Sequence, residues 1–483
     1  MKEPGNTIRF LLNSTLTEID FSQNPGLKPS TTVLNYLRSL PFYKGVKEGC
    51  AEGDCGACTV VIAEKSGDQL VYKSIDSCLM FLPMLHGKQL LTVEHLADGE
   101  ALHPVQQAMV DQNGSQCGYC TPGIVMSLFG LSKNHRDPST EVINDALTGN
   151  LCRCTGYRPI VDAAHVCCKG ENHDKFSNTE AEVASQLDEL CKDKSPLSIF
   201  SRQQRYLKPL TLQDALAFRK QYPSAEIVSG ATDVALRQTK KKELLPEILD
   251  ISDVAELKYF RENKDTYNIG AGLQIEALRL HSDGKLPAMK QMLDIFGSLQ
   301  IRNLATIGGN VGSASPIGDT LPLLIAYKAS VKLQSIDNER FCNIEDFITG
   351  YRSTDLHPDE LITEVQIPRP ADGRIIKSYK VSRRKDLDIS TVSGGFSLLA
   401  ENGTVKEIIL AFGGMASQPI RAFKTEDYLS GKAWGENHIR EAMGILFQEF
   451  KPWSDARAEA NYRNLVARNL LLKFYEETKG PRS

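Results

Sequence analysis

Three cysteines stand within nine residues near the start of the chain, in the stretch GCAEGDCGACTV. Their pattern is Cys50-x4-Cys55-x2-Cys58, and Cys78 follows after 19 intervening residues. With this spacing a loop wraps one face of a plant-type [2Fe–2S] cluster while a distant cysteine closes the other. A four-thiolate zinc site is the alternative, but such sites usually pair two short cysteine knuckles, and Cys78 has no near companion. We therefore predict that these four thiols hold a [2Fe–2S] cluster.

Glycines separate the cysteines of this first group. Gly49, Gly53 and Gly56 lack Cβ atoms, so the backbone around them can adopt positive φ angles. Backbone N–H groups can then turn inward and donate hydrogen bonds to sulfur, which tunes a cluster's reduction potential. The glycines therefore support the cluster interpretation.

A second set of thiols is formed by Cys117-x2-Cys120 and Cys152-x-Cys154. Taken alone, CGYC is also the pattern of a thioredoxin-like dithiol, because a C-x-x-C motif before a helix lowers a thiol pKa. The one-residue spacing in LCRC is too tight for most zinc knuckles, but it fits two thiolates bound to one iron of a two-iron cluster. This group therefore predicts a second [2Fe–2S] cluster.

Two glycine-rich turns follow in the middle of the chain. The first comes after an apolar strand and reads Ile227, Val228, Ser229, Gly230, Ala231, Thr232, Asp233, Val234. The second, TIGGNVGSASPIGD, runs from Thr306 to Asp319. Turns of this kind direct several backbone N–H donors at one phosphate. Neither is the G-x-G-x-x-G dinucleotide fingerprint, so the residues alone predict a nucleotide-phosphate site and no more.

The elements that position these groups change along the chain. Residues 1–90 alternate short apolar runs with turns and contain one helical pattern, TTVLNYLRSL, which predicts a small mixed sheet with a helix packed on it. Residues 91–170 show helical patterns in HPVQQAMVDQ, TPGIVMSLFGLSK and TEVINDALTGN. The first cysteine group thus lies in a loop after a helix, and the second lies at helix ends.

A polar segment separates these two regions from the rest of the chain. Residues 171–198 have no sustained apolar face, so we predict a linker that crosses the surface. Residues 199–374 mix buried strands, glycine-rich turns and helices, which indicates an α+β nucleotide-binding domain. Residues 375–483 carry apolar strands followed by long amphipathic helices, which indicates a separate C-terminal domain.

The composition limits the function. The 483 residues include 56 basic and 60 acidic side chains, a net charge of -4, and 41% of them are hydrophobic. The near-neutral charge and the lack of a basic helix argue against a nucleic-acid partner. No stretch approaches the roughly 20 apolar residues of a membrane span, and the N-terminus lacks the apolar run of a signal peptide. We expect a cytoplasmic protein whose grouped cysteines perform metal or redox chemistry rather than form disulfides.

Other residue types give weaker signals. The histidines form no H-x-x-x-H or H-E-x-x-H pair, and the chain has no G-x-S-x-G nucleophile motif, so we assign no catalytic residue to it. Four further cysteines have no partner spacing, and we expect ordinary thiols there: Cys167, Cys168, Cys191 and Cys342.

Considered together, the stretches QCGYCTPG, GNLCRCTGYRP and GCAEGDCGACTV resemble the two-cluster module of the xanthine dehydrogenase and aldehyde oxidase family of molybdenum hydroxylases. Both glycine-rich turns, and their order, are similar to the FAD domain of that family. The resemblance covers essentially the whole chain. It implies an α+β multidomain fold with a β-grasp ferredoxin-like domain, a four-helix [2Fe–2S] domain, an α+β FAD-binding domain and a small α/β C-terminal domain.

The resemblance also implies roles for particular residues. Gln116 and Cys154 would approach a molybdopterin, although a helix-end glutamine without cofactor contact is the alternative for Gln116. Asp388 would lie near the face used by the terminal electron acceptor. Besides residues 227–234, the expected FAD contacts are Phe296, Thr306, Gly309, Asp319 and Lys380. For Lys380, with Arg383 and Arg384, a solvated basic edge is the alternative.

These features imply an electron-transfer role. In this family electrons leave a molybdenum centre, pass through two [2Fe–2S] clusters to FAD, and reach an acceptor such as NAD. The chain has no room for the molybdenum domain, so we expect a molybdenum-binding large subunit as partner, in a dimer of heterodimers. The domain order is similar to the small subunit of two-subunit bacterial xanthine dehydrogenases. The alternatives are a family member acting on an aldehyde or N-heterocycle, and a non-enzymatic iron–sulfur sensor.

Overall fold

The computed structural model describes residues 5–67, 69–170 and 174–479. They form two compact units. The first comprises the chain up to Val254 together with Gly297–Ala305, and the second comprises Ala255–Phe296 and the chain from Thr306 onward. Residues of the nucleotide-binding region, 199–374, therefore belong to both units. Among the described residues, no helix combines the length and the apolar character needed to cross a bilayer.

The N-terminal domain is a mixed five-stranded sheet with one helix, α1 (Val33–Ser39). Its strands are β1 (Thr7–Leu12), β2 (Thr15–Asp20), β3 (Thr59–Ser66), β4 (Gln69–Asp76) and β5 (Gln89–Leu91). The strand order is β2-β1-β5-β3-β4, in which β1 and β5 are parallel and the other pairs are antiparallel. Helix α1 begins at Thr32, whose side chain accepts a hydrogen bond from the N–H of Asn35. The ferredoxin-like prediction is confirmed.

The next region is helical, as predicted. It contains α2 (Pro104–Asp111), α3 (Thr121–Asn134), α4 (Thr140–Leu147) and α5 (Arg158–Cys167). Proline stands in the first turn of α2, α3 and α5, where its missing N–H costs no helical hydrogen bond. Helix α3 is buried from Gly123 to Ser132 and packs against β3 and β4. The N-terminus of this central helix carries Cys120.

The prediction of a surface linker over residues 171–198 is wrong for most of its length. Residues 175–190 form helix α6 (Lys175–Leu190), while residues 171–173 lie outside the described residues. Phe176, Ala184 and Leu187 are buried in the core shared with the helical domain. Asp174 caps α6, and its carboxylate lies 3.1 Å from the Nζ of Lys133. The apolar stripe is narrow and the composition polar, so the periodicity is too weak to detect in the sequence.

The first unit continues with a four-stranded sheet. Its strands are β6 (Leu197–Ser201), β7 (Gln204–Lys208), β8 (Glu226–Val228) and β9 (Glu247–Asp250), and its helices are α7 (Leu212–Gln221) and α8 (Val234–Thr239). The strand order is β6-β7-β9-β8, and β9 is parallel to both of its neighbours. The segment Gly297–Ala305 also belongs to this unit and contains a short helix, Leu299–Arg302.

The second unit contains two larger antiparallel sheets and a two-stranded ribbon. Its strands are β10 (Phe260–Glu262), β11 (Thr266–Gly270), β12 (Ser330–Gln334), β13 (Glu339–Asn343), β14 (Ile348–Gly350), β15 (Ser353–Thr354), β16 (Leu361–Pro368), β17 (Ile375–Val381), β18 (Val392–Glu401), β19 (Thr404–Gly413) and β20 (Ile420–Arg421). The orders are β10-β11-β16-β12-β13, β14-β15 and β17-β18-β19-β20. The helices are Ile275–His281, Pro287–Leu293, Ile307–Gly312, Thr320–Ala326, Ile344–Phe347, Phe423–Leu429, Glu436–Glu449 and Ala460–Thr478. The strands-then-helices prediction for the C-terminal domain is confirmed.

Candidate cluster and cofactor sites

The four thiols of the first group lie together in two pairs. The thiols of Cys50 and Cys55 are neighbours, and so are the thiols of Cys58 and Cys78. Cys50 and Cys55 lie in the loop after α1, Cys58 directly precedes β3, and Cys78 follows β4. A [2Fe–2S] cluster takes two thiolates on each iron, so this pairwise donor set fits a two-iron cluster.

Backbone N–H groups point at these sulfurs, as the glycines in the loop predict. The N–H groups of Glu52 and Asp54 lie 3.4 and 3.2 Å from the Sγ of Cys50. The hydrogen bond from Cys55, together with these N–H groups, lowers the pKa of the Cys50 thiol to about 5. Gly53 has a φ of 77°, which a glycine adopts without strain. The loop is therefore shaped to stabilise thiolate charge.

Asp76 is a residue of this site that the sequence analysis missed. It ends β4, is 1% exposed, and its Oδ1 lies 3.7 Å from the Sγ of Cys58. Burial raises the pKa of the Asp76 carboxyl to about 8. A lone acid at the end of a strand has no motif, and its proximity to the thiols comes from the fold of the hairpin β3–β4.

The second group of thiols is also paired. The thiols of Cys117 and Cys154 are neighbours, and so are the thiols of Cys120 and Cys152. The assignment of Cys152 and Cys154 to one iron stays a prediction, because contacts between thiols do not assign sulfurs to irons. Four thiols brought together fit the donor set of a two-iron cluster.

The second group differs from the first in its exposure. Cys117 and Cys154 are exposed, while Cys58 and Cys78 of the first group are buried. Gln116 is exposed beside Cys117, so the glutamine remains available for the predicted pterin contact. Among the described residues, no three or more His, Cys, Asp or Glu side chains are placed to hold a single metal ion.

The first glycine-rich turn lies in the first unit, between β8 and α8. A Cβ atom at Gly230 would lie 1.9 Å from the backbone oxygen of Leu304, so the chain passes too closely for any other residue. Ala231 has a φ of 63°, and the buried Oγ of Ser229 has no hydrogen-bond partner among the described residues. A tight turn with an unsatisfied hydroxyl suits a ligand that accepts or donates hydrogen bonds, and the turn fits part of a bound FAD.

The second glycine-rich turn lies in the second unit. Thr306 caps the helix Ile307–Gly312 by accepting a hydrogen bond from the N–H of Gly309 at 3.1 Å. A Cβ atom at Gly309 would meet only the Oγ1 of Thr306, at 3.0 Å. Phe296 is half-buried in the same unit. The backbone beside Gly309 is thus open to a ligand.

A buried ion pair joins Lys380 to Asp319, the last residue of the second turn. Its Nζ lies 2.8 Å from the Oδ2 of Asp319, and it also donates to the backbone oxygen of Ile295 at 3.1 Å. The Lys380 and Asp319 side chains are 2% and 8% exposed. Lys380 is therefore buried and is not part of a solvated basic edge. Arg384 instead pairs with Asp388, the residue expected near the electron acceptor, at 2.7 Å.

Known families match three stretches of the chain. Residues 200–370 match the FAD binding domain in molybdopterin dehydrogenase, residues 92–165 match a [2Fe-2S] binding domain, and residues 377–478 match the CO dehydrogenase flavoprotein C-terminal domain.

Whole-chain comparisons agree with these matches. The xanthine dehydrogenase of Emericella nidulans is 32% identical over 535 residues, which cover 99% of this chain and 39% of the relative. The xanthine dehydrogenase/oxidase of Gallus gallus is 32% identical over 548 residues, covering 98% and 40%. A solved structure of CO dehydrogenase from Oligotropha carboxidovorans aligns with a TM-score of 0.52 at 25% identity, covering 56% of this chain and 94% of that one. This chain therefore spans well under half of the length of the curated relatives that it matches.

Proposed function

This chain carries the iron–sulfur and FAD domains of the molybdenum hydroxylase family, and we propose that it is the electron-transfer subunit of a xanthine dehydrogenase. In this role it receives electrons from a molybdenum–pterin centre in a partner subunit, where hypoxanthine or xanthine is oxidised to urate, and delivers them to NAD. Bound FAD exchanges two electrons and each [2Fe–2S] cluster exchanges one, so together they connect a two-electron donor to a two-electron acceptor.

The observation that carries this proposal is the direct contact between the two cysteine loops. The N–H of Leu151 donates to the backbone oxygen of Cys55 at 3.0 Å, and Leu151 directly precedes Cys152. Two redox centres joined so closely suit electron transfer better than two independent sensors. The similarity to xanthine dehydrogenases over nearly the whole chain supports the choice of substrate.

The chain's own residues perform the binding. We propose that the eight paired cysteines ligate the two clusters, and that N–H groups such as those of Glu52 and Asp54 hold the first loop around its sulfurs. On the flavin side, residues 227–234, Phe296, Thr306 and Gly309 would hold FAD. The Lys380–Asp319 pair would place a buried cation and its partner carboxylate beside the flavin-binding turn.

We propose that a molybdenum-binding large subunit docks where Cys117 and Cys154 are exposed. Three large apolar side chains close to these thiols in sequence are also exposed: Tyr119 at 48%, Tyr157 at 40% and Leu151 at 38%. Aromatic side chains are enriched in protein interfaces, and docking here would bring the partner's cofactor next to the second cluster. Such a heterodimer would pair further into a dimer of heterodimers, in the reducing cytoplasm that grouped thiols suit.

Purification of the chain together with its native large subunit tests the function. Addition of xanthine should reduce NAD, followed by the rise in NADH absorbance. If the molybdenum subunit is present and an aldehyde or an N-heterocycle is oxidised instead of xanthine, the chain serves another hydroxylase of the family. If no molybdenum subunit accompanies the chain, the proposed function is wrong.

The substitution Gly309→Val tests the second flavin turn. We expect FAD binding at least roughly tenfold weaker, which is about 1.4 kcal/mol, because the new side chain would fill the open space beside this turn. Iron content should stay unchanged. Flavin released by acid and iron released by chelation are measured on the same sample.

Gly444→Val is the matched control for this substitution. Gly444 lies in the helix Glu436–Glu449 of the same unit, and a Cβ atom there would meet nothing within 4 Å. This control variant should keep its flavin. Normal flavin content in Gly309→Val would show that the turn does not contact the cofactor.

A further inference from the structure

A buried cluster of polar side chains lies where the two cysteine loops of the first unit meet. We call it the Asn150 network, and its members are Asn150, Ser127, Thr59 and Gln300. They are exposed by 3%, 1%, 2% and 0%, respectively. Buried polar side chains are costly unless their hydrogen bonds are satisfied, so a network at this position fixes the backbone that it holds.

Asn150 is the centre of the network. Its Nδ2 donates to the backbone oxygen of Gly56 and to the Oγ1 of Thr59, both at 3.1 Å. Its Oδ1 accepts from the Oγ of Ser127 at 2.6 Å and from the Nε2 of Gln300 at 2.9 Å. Gly56 lies between Cys55 and Cys58, and Asn150 lies two residues before Cys152. One amide therefore binds the loop of the first cluster to the loop of the second.

Glycines allow the loops to come this close. A Cβ atom at Gly56 would lie 2.3 Å from the backbone oxygen of Gly149, and one at Gly123 would lie 2.1 Å from the backbone oxygen of Gly56. A Cβ atom at Gly149 would lie 2.3 Å from the Oε1 of Gln300. No side chain fits between the loops at these points, so the network defines their separation by direct contact.

The same contact supplies a short route between predicted cluster ligands. The backbone oxygen of Cys55 accepts the N–H of Leu151 at 3.0 Å, and the next residue is Cys152. One hydrogen bond and the covalent bonds of three residues, Cys55, Leu151 and Cys152, thus connect a thiol of the first group to a thiol of the second. Asn150 directly precedes Leu151, and its side-chain amide binds Gly56, which directly follows Cys55. The amide therefore holds the two loops that this hydrogen bond joins.

We infer that Asn150 is a positioning residue that sets the distance, and so the rate of electron exchange, between the two clusters. Each cluster, held by its four cysteines, would supply one-electron transfer in which no bond is made or broken, and Asn150 would hold the two cysteine loops in place. Gln300 acts through Asn150 by orienting its amide from the segment Gly297–Ala305. The inference rests on the proposed electron-transfer function and adds a residue that determines it.

The variant Asn150→Ala tests this role, with Asn134→Ala as its matched control. Asn134 also joins the two cluster domains, because its Nδ2 donates to the backbone oxygens of Tyr72 in β4 and Gly130 in α3 at 2.7 and 2.8 Å. It lies at the opposite end of α3 from Cys120, roughly 20 Å away along a helix that rises about 1.5 Å per residue. Both variants lose an amide that joins the two cluster domains, buried at Asn150 and exposed at Asn134, and only Asn150→Ala loosens the cysteine loops.

Electron paramagnetic resonance of the dithionite-reduced holoprotein provides the main readout, because the magnetic interaction between two reduced clusters depends on their separation. We expect Asn150→Ala to lose the spin–spin splitting and to slow electron equilibration between the clusters, while both clusters stay bound. Asn134→Ala should keep the splitting, with a smaller fall in melting temperature, because Asn134 is exposed. Gln300→Ala should give a smaller change in the same direction as Asn150→Ala.

Three outcomes would contradict the inference in distinguishable ways. Unchanged splitting and unchanged equilibration in Asn150→Ala would show that the amide does not set the separation. Equal changes in Asn150→Ala and Asn134→Ala would show a general effect of domain packing. A wild-type protein without two distinct [2Fe–2S] signals would overturn the proposed function itself, and the assay reaches that result without xanthine or NAD.

Discussion

Replacement of Cys55 by serine is expected to remove the first cluster. About half of the iron should be lost with it, since each of the two [2Fe–2S] clusters contains two of the four irons. Serine presents a hard, weakly acidic hydroxyl in place of a soft thiolate, and iron–sulfur clusters select thiolates. The substitution also weakens the neighbouring ligand, because the hydrogen bond from Cys55 lowers the pKa of the Cys50 thiol. The second cluster and the flavin should remain bound.

The variant Cys120→Ser should give the opposite pattern, with loss of the second cluster and retention of the first. Cys342→Ser is the control, because Cys342 lies on β13 of the second unit, away from both groups in sequence. It should leave iron and flavin unchanged. Iron content, visible circular dichroism and acid-released flavin measure all three quantities. Loss of flavin from both cluster variants would contradict separate binding domains.

The cysteine motifs and the element types were predictable from the sequence because they depend on local order. The spacing of Cys50, Cys55 and Cys58 is set within one loop, and the helices around Cys120 follow from apolar periodicity and from proline in the first turn. Eight thiols in two groups could therefore be assigned without a structure. The structure brings the thiols of each group together.

Contacts between distant segments could not be predicted in this way. Asn150 and Gln300 are 150 positions apart, and although Asn150 stands in the stretch GNLCRCTGYRP, nothing in that stretch points to Gln300. Helix α6 was mistaken for a linker because three buried residues in sixteen give almost no periodic signal, and tertiary burial of Phe176 decides its structure. Asp76 likewise gains its importance from the neighbouring thiol of Cys58. Such residues become visible only when the fold has brought their partners together.

The substitution Lys208→Met is expected to destabilise the first unit by about 3–5 kcal/mol, the typical cost of leaving a buried charge without its partner. Lys208 and Asp250 are both fully buried, and the Nζ lies 2.7 Å from the Oδ2 of Asp250. The same Nζ lies 2.9 Å from Asp253, which also pairs with Lys88 at 3.0 Å. Without Lys208, the buried Asp250 carboxylate would lose its ammonium partner, and Asp253 would share the ammonium group of Lys88 with Glu64.

The position of this ionic cluster explains why the effect should extend beyond one strand. Lys88 directly precedes β5 of the ferredoxin-like domain, whereas Lys208 and Asp250 end β7 and β9 of the following sheet. The hydroxyl of Tyr206 also donates to Asp250 at 2.8 Å, which partly satisfies the carboxylate. The charges therefore join two domains of the same unit, and an imbalance among them should destabilise both domains.

The reporter for this prediction can be chosen from the sequence. Both tryptophans, Trp434 and Trp453, lie in the second unit, so tryptophan fluorescence follows that unit while the visible circular dichroism of the clusters follows the first. Urea unfolding of Lys208→Met should shift the cluster signal and leave the fluorescence transition in place. Lys192→Met, which removes a highly exposed ion pair with Glu189, should change stability by less than about 1 kcal/mol.

The double variant Lys208→Met/Asp250→Leu separates the two possible origins of the loss. If the cost comes from the uncompensated carboxylate, removal of that carboxylate should restore much of the stability, since an apolar pair of similar volume can replace a buried ion pair at little cost. If the double variant is as unstable as the sum of the single variants, packing of the lysine stem explains the effect instead. In that case the ion pair of Lys88 with Asp253, which still joins the two domains, does not depend on Lys208.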